Sequence, residues 1–263
     1  MSSRPSTRIR RRRSLPGLAA VALALGLVGG SYAAFAPPTK AETEAATTTQ
    51  IEEGRQLFLI GCSSCHGLQA QGGAQAPSLI GVGSAAVDFQ VGTGRMPLMQ
   101  QGPQAPRKPV RYTQEEIDAM SAYVASLAPG PKVPTAEQLD VSDGDIAEGG
   151  ELFRTNCASC HNFSGQGGAL TYGKEAPSLD PVTPKHIYEA MLTGPEQMPV
   201  FGDRAITPDE KRSIIAFIEG VKQEANPGGH HLGRLGPVPE GMVAWFIGIG
   251  GMVGMCLWIG SRA

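Results

Sequence analysis

One pentapeptide occurs twice, as Cys62-Ser63-Ser64-Cys65-His66 and Cys157-Ala158-Ser159-Cys160-His161, and the two copies hold four of the five cysteines. A Cys-x-x-Cys-His run is an attachment signature for c-type haem: both thiols become thioethers on the vinyl groups, and the adjacent histidine ligates the iron. The two-residue gap matches the reach between the vinyls on one helical turn, which leaves the next side chain facing the iron. Cys62, Cys65, Cys157 and Cys160 are therefore the expected attachment residues, with His66 and His161 as axial ligands.

Three plainer readings compete. A zinc knuckle needs four ligands, and no second Cys pair or His-x-His group stands near either copy. A thioredoxin-like redox pair belongs between a strand and a helix, and no Val/Ile-rich strand flanks either motif. A disulfide within each pentapeptide satisfies the count alone, but it does not account for the duplicated flanks of the two motifs.

The chain has 263 residues, enough for one or two domains, and its 35 glycines and 21 prolines with few aromatics describe a loop-rich fold. A porphyrin supplies buried apolar surface, so small domains that wrap one need less core of their own. The net charge of -2 hides an asymmetry: Arg4, Arg8, Arg10, Arg11, Arg12 and Arg13 open the chain and Arg262 nearly ends it, leaving 15 Lys+Arg against 24 Asp+Glu between them. An acidic middle argues against nucleic acid as a partner. It fits a solvated surface or a basic docking partner.

The arginine cluster precedes an apolar run from Gly17 to Ala36, an export signal with two open fates. Ala34-Phe35-Ala36 resembles a signal-peptidase site, whereas the run has about the ~20 residues that span a bilayer and is longer than an ordinary signal core. Either way the arginines stay in the cytoplasm and the chain beyond Ala36 is exported. Residues 37–50 read as a linker.

A repeat then begins. Glu53-Gly54-Arg55-Gln56-Leu57-Phe58 before Cys62 matches Glu148-Gly149-Gly150-Glu151-Leu152-Phe153 before Cys157 at an offset of 95. Gln71-Gly72-Gly73 matches Gln166-Gly167-Gly168, and by Ala76-Pro77-Ser78-Leu79 and Ala176-Pro177-Ser178-Leu179 the offset has grown to 100. Each copy continues to a Met-Pro pair, Met96-Pro97 or Met198-Pro199. Each closes with a capped amphipathic helix, opened by Thr113-Gln114-Glu115-Glu116 or Thr207-Pro208-Asp209-Glu210. The first helix is expected to pack Gly54 or Gly149, and Phe58 or Phe153, against that last helix, where Tyr123 or Phe217 sits.

That order, with its haem motif, resembles the small all-α cytochrome c domain over residues 51–128 and 145–224. The resemblance implies two tandem class I cytochrome c domains and two covalent haems. A soft thioether ligand raises the potential, and Met96 and Met198, each before proline after a Thr-Gly turn, are the expected sixth ligands. Met99 and Met191 are the rivals, the latter more simply an apolar residue on a short helix from Pro184 to Leu192. His186 reads as a helix residue and not a ligand. The stretch from Gly102 to Arg111, longer than its counterpart from Val200 to Ile206, reads as an exposed spacer or a contact to a neighbouring subunit.

Residues 129–144 link the units, starting with the stiff Ala128-Pro129-Gly130-Pro131-Lys132-Val133-Pro134, which would hold the haems at a near-fixed separation. Residues 225–240 form a second linker, where His230-His231 reads as exposed loop, with metal binding as the other possibility. Gly241 to Gly260 carries no charge, has Trp245 and Trp258 near its ends, and reads as a transmembrane helix whose glycines suit packing on another helix. The expected protein is a cell-membrane one, multi-pass, or single-pass after cleavage, with its haem domains on the extracytoplasmic side.

No catalytic constellation accompanies the haem motifs, so the chain alone is an electron conduit. Tandem cytochrome c units between an N-terminal apolar segment and a C-terminal membrane helix resemble the dihaem cytochrome cc subunit of the actinobacterial cytochrome bcc menaquinol reductase. The resemblance implies a cytochrome b subunit and a Rieske iron–sulfur subunit that oxidise menaquinol, and an aa3-type cytochrome c oxidase that takes the electrons. Three other readings stand beside it. A cbb3-type oxidase subunit has tandem domains but an N-terminal anchor; a dihaem peroxidase needs one haem without methionine; a free-standing membrane carrier needs no fixed partner.

Overall fold

The computed structural model describes residues 15–35, 46–100, 102–224, 233–234 and 236–262. The arginine cluster, most of the 37–50 linker and His230-His231 lie outside them. Residues 1–45 form one unit, in which α1 (Leu15–Phe35) is a helix of 21 residues without a charged side chain.

In the second unit, α2 (Thr48–Gly61) starts where the Thr47 hydroxyl accepts from the Gln50 amide, and it stops at Cys62. The haem motif itself is a four-residue turn, α3 (Ser63–His66). A loop leads to α4 (Gly83–Gly92), then through the Met-Pro segment to α5 (Gln114–Leu127), which opens on the expected capping box between Thr113 and Glu116. Such a cap is worth about 1 kcal/mol. Across the α2–α5 crossing Phe58 meets Tyr123 with centroids 5.3 Å apart, and Gly54 lets the backbones touch.

The second domain repeats the plan. After α6 (Ala136–Leu139) come α7 (Ile146–Asn156) and its haem turn α8 (Ala158–His161), then α9 (Pro184–Thr193) and α10 (Pro208–Gln223), which opens on the matching capping box between Thr207 and Glu210. Phe153 meets Phe217 at 5.4 Å across α7 and α10. The residues that make the offset grow fold into a hairpin of two-residue strands, β1 (Gly168–Ala169) and β2 (Glu175–Ala176), a small exception to an otherwise helical chain.

α4 is not legible in the sequence. Val82 gives it no side-chain cap, and its buried face carries Asp88 beside Ala85, Phe89 and Val91, which blurs the apolar period.

Most of the stretch from Gly102 to Arg111 is exposed, but part of it, around the half-buried Gln104 and the buried Ala105, docks on the second domain of the same chain. The Gln104 side chain donates to Glu175 O at 2.8 Å and accepts from Glu175 N at 2.9 Å, Ala105 N donates to Glu196 Oε1 at 3.0 Å, and Arg107 donates to Pro181 O at 3.1 Å. Two of the places where the copies differ in length, the 102–111 stretch and the hairpin, thus meet each other. Their extra residues are an interdomain clasp. Gln104→Ala should speed hydrogen exchange of the Glu175 amide about tenfold, the loss of roughly 1.4 kcal/mol of protection, as read by exchange mass spectrometry.

The link between the domains is pinned as well as stiff. Ala85 N donates to Pro131 O at 3.2 Å and Val133 N to Ser84 Oγ at 3.2 Å, while α4 packs against α9.

The chain leaves the second domain through Arg234, whose guanidinium donates to Val221 O at 2.6 Å and Glu224 O at 2.8 Å. It then enters α11 (Pro237–Gly260), exposed along its length. Within α11, Val238–Gly260 is long and apolar enough to cross a membrane, and the Arg262 guanidinium sits 5.1 Å from the Trp258 ring at its far end.

Candidate functional site

Each haem motif is a tight turn at the end of a long helix. Cys62 N donates to Phe58 O at 2.8 Å and His66 N to Cys62 O at 3.0 Å; the second copy repeats this with Cys157 N on Phe153 O at 2.8 Å and His161 N on Cys157 O at 2.9 Å. This continuity fixes the direction of three side chains at once. The inner cysteine of each pair faces the core while Cys65 and Cys160 are exposed. Burial first, then the neighbouring thiol, raises Cys62 and Cys157 to about 11, so both are protonated thiols before attachment.

The Ala-Pro-Ser-Leu segments match between the copies in the sequence without disclosing a role. The structure supplies it, because their prolines orient the histidines. His66 Nδ1 donates to Pro77 O at 2.8 Å and His161 Nδ1 to Pro177 O at 3.0 Å. A carbonyl can only accept, so Nδ1 carries the proton and Nε2 presents its lone pair. Burial lowers the pKa of His161, partly offset by that bond, which keeps its ring neutral.

The glycine after Gln71 or Gln166 closes this turn. Gly72 N donates to His66 O at 2.7 Å and Gly167 N to His161 O at 2.8 Å, at φ of 81° and 79°, and a Cβ would strike backbone at either, Ser78 N at 2.5 Å or Ala176 O at 2.4 Å. Only glycine fits there.

Beside Cys157, Cys160 and His161 lies a largely apolar, open-mouthed cavity of about 170 Å³. Phe153, Leu179, Ile214 and Ile218 line it, and Met198 and Met191 both reach it. Met191 is a 2% exposed residue of α9 within the core, whereas Met198 lies on the loop beyond it. In the first domain Met96 packs in the apolar cluster that contains Cys62, preceding Pro97 through a cis peptide bond. Met99 is 68% exposed, and its sulfur lies 3.6 Å from Arg111 Nη2. An apolar cleft with two thiols, an oriented imidazole and a thioether fits a covalent haem.

The second cavity is completed from the first domain. Phe89, Thr93, Arg95, Gln104 and Arg107 form part of its wall, and His186 of α9 stands there too. Spacing within one copy has no way to announce this, since the contacts span 71 residues from Gln104 to Glu175 and 97 from Asp88 to Lys185.

Comparison with known proteins shows the same division. Residues 51–128 match the family model described as Cytochrome c, and residues 144–218 the one described as Cytochrome C oxidase, cbb3-type, subunit III. Nearly the whole chain is similar to proteins named cytochrome bc1 complex cytochrome c subunit. That of Corynebacterium efficiens is 47% identical over 96% of this chain and 90% of the relative. Those of Corynebacterium diphtheriae and Mycobacterium tuberculosis are 43% and 45% identical, covering 100% and 98% of this chain and 100% and 94% of the relatives. This chain belongs to the family of cytochrome bc1 complex cytochrome c subunits. The cbb3 likeness is local: the FixP subunit of a cbb3-type cytochrome c oxidase from Sinorhizobium medicae is 27% identical over 44% of this chain.

As a cytochrome c subunit of a bc1 complex, the chain is an electron-transport component of a quinol:cytochrome c reductase, with covalently bound haem c and other subunits of that oxidoreductase as its partners. The apolar helix α11 fits membrane association.

Proposed function

We propose that this subunit carries two covalent c-type haems, one on Cys62 and Cys65 with His66 and Met96 as axial ligands, the other on Cys157 and Cys160 with His161 and Met198. When bound, each haem supplies one-electron iron chemistry with both axial positions filled, so the chain has no substrate site of its own and serves the complex as a conduit. The residues do the positioning. Pro77 and Pro177 carbonyls aim the histidines, the apolar walls exclude water, and the thioether side chains favour the ferrous state.

The observation that carries this reading is the clasped pair of units. Two complete haem motifs sit in domains joined by α4 against α9 and by the Gln104–Glu175 contact, which suits intramolecular transfer over a fixed gap. We take the donor to be a Rieske iron–sulfur subunit, working with a cytochrome b subunit that oxidises menaquinol, and the acceptor to be an aa3-type oxidase in the same assembly. No soluble carrier is then required. The haem domains lie on the extracytoplasmic side, α11 spans the membrane lipid, and Arg262 lies in the cytoplasm, as the positive-inside rule favours.

Affinity purification of the tagged chain in mild detergent tests this reading. Two c haems per chain by pyridine haemochrome, b haem in the reduced-minus-oxidised spectrum, and Rieske and aa3 peptides by mass spectrometry are expected. Isolation of the chain alone would favour a free-standing carrier, and co-purification of cbb3-type catalytic subunits would replace the aa3 assignment.

A further inference from the structure

Three titratable side chains outside the haem motifs meet where α4 of the first domain packs on α9 of the second. Asp88 and Glu189 are both 0% exposed, and one ligand atom from each of Asp88, His186 and Glu189 lies within 4.8 Å of the other two. His186 and Glu189 share a helix face by their i, i+3 spacing.

Their hydrogen bonding is incomplete. Lys185 Nζ donates to Asp88 Oδ2 at 2.5 Å and Gln114 Nε2 reaches the same oxygen at 3.5 Å. Asp88 Oδ1, both Glu189 oxygens and His186 Nδ1 are buried without a hydrogen-bond partner. A carboxylate fully removed from water needs a cation, a donor or a proton. Lys185 provides for one oxygen of Asp88 and leaves Glu189 without a bond.

Gly92 of α4 packs directly on the group: a Cβ there would lie 3.1 Å from His186 Nε2 and 3.4 Å from Asp88 Oδ1, tighter than ordinary contact, so only glycine leaves both atoms room.

We propose that Asp88, His186 and Glu189 form a divalent metal site of the zinc type that bridges the two haem domains. One imidazole with two carboxylates is a borderline-hard donor set suited to Zn²⁺, with a fourth position left for water. Bonds of about 2.0–2.2 Å would draw the three ligand atoms somewhat closer together, a side-chain adjustment. The bound ion would displace the proton that burial, and then the nearby Asp88, favour on Glu189, and would tie α4 to α9, beside the wall that His186 contributes to the second haem cavity. His186, read from the sequence as a helix residue and not a ligand, becomes one of three ligands.

The test uses the whole membrane complex, washed with EDTA, equilibrated with ZnCl₂ and desalted. Zinc is counted by plasma mass spectrometry against covalent haem c, so the result does not depend on which oxidase accompanies the chain. Wild type is expected to hold one zinc per chain more than either Glu189→Gln or His186→Gln, with each variant's zinc counted against its own covalent haem c. Equal zinc in wild type and either haem-loaded variant overturns the proposal and leaves a shared proton between Glu189 and Asp88 as the occupant. If Glu189→Gln fails to assemble, His186→Gln at a half-buried position decides the question alone.

Discussion

Gly149→Ala is expected to strip the second domain of its haem, halving covalent haem c per chain. A Cβ at this position of α7 would lie 1.9 Å from Ser213 O, 2.3 Å from Ser213 C and 2.9 Å from Ile214 N, all backbone of α10. Backbone cannot rotate aside, so the helices must part by about 1.5 Å to restore ordinary contact, and the Phe153–Phe217 packing parts with them. The cost exceeds the ~1–3 kcal/mol of ordinary overpacking and takes much of a ~5–15 kcal/mol stability margin. Gly54→Ala should do the same to the first domain, where the added atom would lie 1.9 Å from Ala119 O. Neighbouring glycines give the controls. At Gly150 the nearest atoms are side-chain ones, the Phe217 ring at 3.1 Å and the Arg154 guanidinium at 3.2 Å, and at Gly220 nothing lies within 4 Å. Gly150→Ala should therefore be mild, and Gly220→Ala neutral or stabilising by up to ~1 kcal/mol. Pyridine haemochrome quantitation of the purified chain reads all four variants. Full haem loading in Gly149→Ala would mean that the helix crossing is not what holds the site.

The same crossing marks the boundary of what the sequence disclosed. Gly54 and Gly149, the aromatic pairs, both capping boxes and the haem turns are local or repeated, and repetition at a fixed offset separates signal from coincidence. The Pro77 and Pro177 carbonyls were half legible: the repeat marked the segment, but a backbone acceptor carries no side-chain signature. What stayed hidden lies between the copies. Gln104 and Glu175 sit in two of the stretches where the repeat breaks, and only the fold brings two insertions together. Asp88, His186 and Glu189 were illegible for a related reason. A buried carboxylate on α4 reads in sequence as the solvent face of a helix, and its partners are about a hundred residues away. α4 was lost with it, since Asp88 occupies the face that would have completed an apolar period.

Met198→His is expected to lower the midpoint potential of the second haem by on the order of 0.2 V, within the ~0.8 V range over which axial ligands act. Imidazole is a harder ligand than a thioether and favours ferric iron, so the direction comes from the donor atom. The choice between Met198 and Met191 rests on their settings. Both line the cavity, but Met191 is held on α9 inside the core, where Ile187, Tyr188 and Ile215 surround the same cluster, and its carbonyl accepts from Phe201 N at 2.7 Å. Met198 projects from a loop after the left-handed Gly194, and its amide donates to Pro195 O at 3.0 Å. Met191→Leu should consequently cost less than ~1.5 kcal/mol of stability and leave the potential in place. The first domain offers the parallel pair. Met96→His should lower its potential in the same way, and Met99→Leu should change nothing, because Met99 is a surface residue next to Arg111. Spectroelectrochemical titration of the assembled complex resolves the two c haems. A potential that moves in Met191→Leu and stays fixed in Met198→His would transfer the ligand role to α9 and make the Met198 loop a lid over the cavity.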